Sequence, residues 1–131
     1  MRGSWILIVF AMAGCMEPGE APVVMGDWGG EHIGMVATSD QADLEYDCAA
    51  GRIFGRITPD GSGRFVATGQ HFPGHGGPAI INEEQVKRPA RYTGMVRGDW
   101  MTLTVILTDT NETIGTFTLI RGQSPFVFKC A

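Results

Sequence analysis

The sequence predicts an all-β protein, a small antiparallel up-and-down barrel of about eight strands, with a β-sandwich as the alternative. Three observations lead there. Met101, Leu103, Val105 and Leu107 fall on one face of a run whose other face carries Thr102, Thr104 and Thr108, and that period of two belongs to a half-buried strand. Gly98-Asp99 and Asp109-Thr110-Asn111-Glu112 are turn sequences on either side of it, so Arg91 to Arg121 reads as three strands in a meander. The 19 glycines and 7 prolines among 131 residues favour short strands with many turns over helices. A chain of this length buries a core as one domain. The barrel is preferred to the sandwich because full closure leaves no exposed sheet edge.

Taken in order, the chain opens on Arg2 and the apolar run Trp5 to Ala13, far short of the roughly 20 residues that span a bilayer as a helix. It ends in Met12-Ala13-Gly14-Cys15, small residues of the kind that precede a signal cleavage point. That tetrapeptide resembles the lipobox of bacterial lipoproteins, with Met12 where leucine is usual and Arg2 as the single basic residue before it. The resemblance implies that residues 1–14 are a signal peptide and that Cys15 becomes a lipidated N-terminus. Met16 in place of an aspartate implies an outer-membrane address facing the periplasm; ordinary secretion is the alternative. Residues 15–25, with Pro18 and Pro22, read as a flexible tether, and residues 26–131 as the barrel domain.

Gly26-Asp27-Trp28 resembles the opening of lipocalin-like barrels, which implies that Trp28 packs across a closed barrel end. Trp28-Gly29-Gly30-Glu31-His32 ahead of a pair of cysteines also resembles a family of exported bacterial β-barrel proteins to which no particular activity attaches. Strands are then expected over Ile33–Thr38, Leu44–Cys48, Arg52–Ile57 and Arg64–Gly69, with a polar turn at Asp40–Asp43 and a strong one at Thr58-Pro59-Asp60-Gly61-Ser62-Gly63. Gln70 to Pro89 reads as a long irregular loop, and such loops are often functional. A last strand is expected over Phe126–Cys130, with Phe126, Phe128 and Cys130 on one face.

With Cys15 assigned to lipid, Cys48 and Cys130 form an even pair in an exported chain. Each is expected to face inward from its own strand, so that a disulfide joins the last strand to an early one. Closing so long a loop is worth on the order of 4 kcal/mol in the chain-entropy view.

Chemistry is sparsely signalled. His71 and His75 lie in the irregular loop with Pro73 and Gly74 between them, which removes the helical geometry that makes such spacing a zinc signature. With His32 they form the one candidate metal set. His71, Phe72, His75, Lys87 and Arg88 are the candidate binding loop. No serine sits in a nucleophile elbow and no phosphate-cradling or dinucleotide motif is present, so no catalytic residue and no cofactor are assigned. The net charge of −4 argues against nucleic acid as a partner. Glu17 to Asp60 carries nine acidic and two basic residues, whereas Gly61 to Ala131 carries five acidic and seven basic.

The expected function is therefore a non-enzymatic binding module of the cell envelope. It is anchored in a membrane by lipid and takes a small ligand or an envelope protein at the barrel mouth. Two alternatives stand beside it: an inhibitor that presents its acidic half to a cationic envelope hydrolase, and a metal-dependent enzyme built on His32, His71 and His75.

Overall fold

A computed structural model describes Gly3 and residues 23–74 and 86–130. Cys15, His75 and, apart from Gly3, the expected signal peptide lie outside the described residues. Eight strands follow one another: β1 (Gly26–Gly30), β2 (Ile33–Ala37), β3 (Gln41–Tyr46), β4 (Ala49–Phe54), β5 (Arg64–Pro73), β6 (Arg88–Arg97), β7 (Trp100–Leu107) and β8 (Thr113–Arg121). Each pairs antiparallel with the next, and β8 returns to β1, closing an up-and-down barrel. The expected fold class is what forms, and the sandwich is excluded.

Alternation decides which side chains fill the interior. Met101, Leu103, Val105 and Leu107 of β7 all point inward and are at most 1% exposed. Trp28, Ile33, Met35, Leu44, Ile53 and Leu119 complete the core from other strands. Ile106, Ile114 and Ile120, on the more polar face, are half-buried.

Several boundaries differ from expectation for physical reasons. Asp40 to Asp43 is not all turn, because Gln41 to Asp43 pairs with Arg52 to Phe54. The expected Arg52–Ile57 strand ends at Phe54, and Ile57 instead makes an isolated bridge with Val24. Val24 is 2% exposed, so the end of the expected 15–25 tether is part of the barrel. The Gln70–Pro89 loop is shorter than its composition suggests. β5 continues through His71 and Phe72 to Pro73, and Gln70 and His71 pair with Pro89 and Arg88 of β6. Pro89 is tolerated there because proline lacks only the donor half of a ladder pair, and its carbonyl still accepts from Thr108 at 3.0 Å.

The largest correction concerns the C-terminus. Phe126–Cys130 is not a strand: Phe126 and Phe128 are exposed and pack edge to face, 5.2 Å apart. The segment ends a strap that runs along the outside of β1 and β2 to the rim of one barrel end. Pro125 lies against Gly34, and Gln123 to Pro125 cross Gly29 so closely that a Cβ on either glycine would collide with them. The His32 amide then donates to Phe126 at 2.6 Å, and the Cys48 amide donates to Phe128 at 3.0 Å. The Cys48–Cys130 disulfide forms, with Cα atoms 4.5 Å apart. Neither cysteine faces the interior from a strand: Cys48 is in the β3–β4 turn with φ of 50°, and Cys130 ends the strap.

Candidate functional site

The two barrel ends differ. At one, Val24 and Ile57 plug the opening, and Trp28 lies beneath them with its indole N–H donating to the Met25 carbonyl at 3.1 Å. The Arg121 guanidinium covers the Trp28 ring at 4.5 Å and is itself held by Asp99 at 3.1 Å. That end is closed.

At the other end the β1–β8 seam of the closed barrel is short. β1 has only 5 residues and meets β8 at two positions, Trp28 opposite Arg121 and Gly29 opposite Ile120. Beyond them β1 turns away into β2, while β8 runs on without a ladder partner on that side. An irregularity in the β7–β8 register between Val105 and Ile106 displaces Ile114 from the pairing. A cleft of about 870 Å³ opens along this seam. Its walls include Ile114, Gly115 and Phe117 of β8 and His32 of the β1–β2 turn, with Tyr46 and His71 in its depth.

His71 is the one buried polar or charged side chain among the described residues, at 5% exposed. It sits there because β5 extends far enough for its alternation (Phe65, Gly69, His71 inward) to reach it. Its Nδ1 lies 2.9 Å from the Tyr46 hydroxyl, and the two rings are nearly parallel. The Tyr46 hydroxyl is 3.4 Å from that of Tyr92, which donates to the Gln70 carbonyl at 2.7 Å. Gly51 makes this cluster possible, since a Cβ there would collide with the Tyr92 hydroxyl and lie 2.6 Å from that of Tyr46. Burial, reinforced by the positive charge of Arg88, pushes the His71 pKa below its ordinary value. Burial likewise raises both tyrosines, Tyr46 further through the neighbouring Tyr92. The cluster is therefore neutral at neutral pH.

His32 is placed differently. It occupies the mouth rim with φ of 69°, its Nδ1 2.5 Å from Asp47. Asp47 also accepts from the Phe128 amide at 2.7 Å, so one carboxylate ties both hairpin turns to the strap. His32 and His71 thus line one cleft, but each has a ring nitrogen engaged by the protein. Among the described residues no group of three or more His, Cys, Asp or Glu side chains is arranged to hold a metal.

Of the remaining loop candidates, Phe72 is a half-buried residue of β5 opposite Ala50. Lys87 is exposed. Arg88 makes a two-nitrogen pair with Asp109, closest at 2.9 Å, and this holds the Asp109 carboxyl below its usual range. Arg88 therefore staples β6 to the β7–β8 turn. In the acidic half, Asp43 is paired with Arg52 at 2.8 Å, which neutralises part of its charge, and Asp47 is bonded to His32.

Sequence reasoning missed Tyr46, Tyr92, Gly51 and the β8 wall as parts of one site. A signal existed for the tyrosines, because an inward-facing phenol must find a hydrogen-bond partner. No protein-family model, curated protein or solved structure matches the chain.

Proposed function

We propose that the protein is a non-enzymatic binding module of the bacterial envelope that receives a small ligand through the open barrel end. It is held to the membrane, on the periplasmic side of the outer membrane, by lipid on Cys15. The observation that carries the ligand reading is the cleft itself. It has the size and make-up of a small-molecule site, apolar and aromatic walls around a few convergent polar groups, while the opposite end is plugged. Supporting the envelope reading are the lipobox-like Met12-Ala13-Gly14-Cys15 and a disulfide in a small domain, which suits an oxidising compartment.

The test is fluorescence titration with anilinonaphthalene sulfonate, an apolar probe. Saturable enhancement is expected for the wild type and loss of it for Ile114→Trp, which fills the cleft, while Val66→Trp on the exposed outer wall leaves it unchanged. Equal enhancement in all three proteins removes the mouth as the site. Intact mass of protein from native membranes checks the anchor: a chain beginning at Cys15 with added lipid is expected, and a chain beginning at Met1 contradicts it.

A further inference from the structure

We propose that the mouth selects compounds whose apolar body carries a hydrogen-bond acceptor, a carbonyl or carboxylate oxygen, received by the Nε2–H of His71. This rests on the reading of the mouth as a ligand site and adds to it the chemical class of the ligand.

The Gln70 carbonyl can only accept, so the Tyr92 proton is committed to it at 2.7 Å. Tyr46 has one proton and two neighbours, His71 Nδ1 at 2.9 Å and the Tyr92 oxygen at 3.4 Å. The second distance lies outside the range of about 2.5–3.0 Å for an O–H···O bond, which leaves Nδ1 as the acceptor for the Tyr46 proton within the cluster. A neutral imidazole carries a single N–H. With Nδ1 accepting, that N–H is Nε2, on the ring edge away from Tyr46. Among the described residues the only side-chain hydrogen bond of His71 is the one to Tyr46, and His71 lines the cleft.

The arrangement is also rigid. The two tyrosine hydroxyls rest against the β4 backbone at Gly51, where even a methyl group does not fit, and the Tyr46 ring is stacked on that of His71. A donor held in one direction in a mostly apolar cleft discriminates strongly, because a ligand lacking the matching acceptor leaves it unpaired. Among the described residues the charged and titratable groups around His71 are Tyr46 from β3, Tyr92 and Arg88 from β6, and Glu112 from the β7–β8 turn. Arg88 is held by Asp109. A carboxylate ligand draws a proton onto His71 and pairs with the resulting imidazolium, whereas a ketone accepts from the neutral ring.

Three probes of one shape test this by calorimetry with the full chain: ethylnaphthalene, acetylnaphthalene and naphthoate. Acetylnaphthalene is expected to bind about tenfold tighter than ethylnaphthalene, the size of one well-made hydrogen bond. His71→Phe should abolish that preference, and Tyr46→Phe, which frees the ring to change tautomer, should reduce it. A carboxylate preference shows as naphthoate binding that tightens as pH falls through the titration of His71, and a carbonyl preference as binding that does not. Equal affinity for all three probes overturns the acceptor rule and leaves the mouth as a ligand site. Absence of binding by any of them removes both readings. Heteronuclear NMR of the His71 imidazole supplies a ligand-free check: the Nε2–H tautomer is expected, and the Nδ1–H tautomer overturns the inference.

Discussion

At the plugged end, Val24, Ile57 and Trp28 fill the barrel with apolar side chains, and Arg121 seals the indole from above. Towards the mouth lie a histidine of β5, two tyrosines of β3 and β6, and a strap fastened by a disulfide. The contrast teaches how an eight-stranded barrel keeps one end open. Such a barrel is just wide enough to be filled by its own side chains, so an opening requires a place where that filling stops. Here the short β1 supplies it, ending its β8 pairing at Gly29. The lost ladder contacts are offset by a covalent link, by the Asp47 carboxylate and by the Arg88–Asp109 pair, all on the rim.

The contrast can be broken from either side. Trp28→Ala has the largest expected effect, about 5 kcal/mol at the upper end for a buried tryptophan. It should lower the urea midpoint of the whole domain, because the ring belongs to the common core. Cys130→Ala comes next, on the order of 4 kcal/mol by loop-closure entropy for a separation of 82 residues. Its signature is local as well as global: amide exchange should quicken at 30–33, 46–49 and 123–130, with the plugged end remaining protected. Equal loss of protection at both ends contradicts the division of labour described here.

Gly51→Ala is expected to cost about 1–3 kcal/mol through overpacking. It should displace the Tyr46 and Tyr92 hydroxyls, visible in near-ultraviolet circular dichroism, and weaken the acceptor preference of the mouth. The smallest effect is that of pH. His71 has a folded pKa below its unfolded value of about 6.5 because it is buried near Arg88. Below that pH the unfolded chain takes up the proton more readily, so stability is fully present above pH about 6.5 and is lost as pH falls through the folded value. Denaturation at pH 7.5 and 5.5 should show a decline that His71→Phe reduces. Asp60 and Asp109, whose carboxyls are held below 3.8, contribute only in stronger acid.

Much of the fold was legible in the sequence because strand alternation and turn chemistry are local. The β7–β8 hairpin followed from Met101–Leu107 and the Asp109–Glu112 turn, where Asn111 takes φ of 62°. The strap was not legible. Phe126, Phe128 and Cys130 alternate as a strand does, and only the approach to Gly29 and Gly34 on the barrel's outer surface shows that no ladder is available to them. The disulfide pairing was legible from the cysteine count and the expectation of export, but its position on the rim was not. The site was half legible. His71 stood out by residue type, yet its burial depended on β5 continuing past Gly69, and its partners come from β3 and β6, a long-range meeting that no local pattern encodes.

The most direct test of a plugged end opposite an open, ligand-receiving end is a chemical-shift map during titration with acetylnaphthalene. Saturable shifts confined to Tyr46, His71, Ile114, Gly115 and Phe117, with Val24, Ile57 and Trp28 unmoved, are the expected result. Shifts centred on Val24, Ile57 and Trp28, or none at saturating probe, would contradict it.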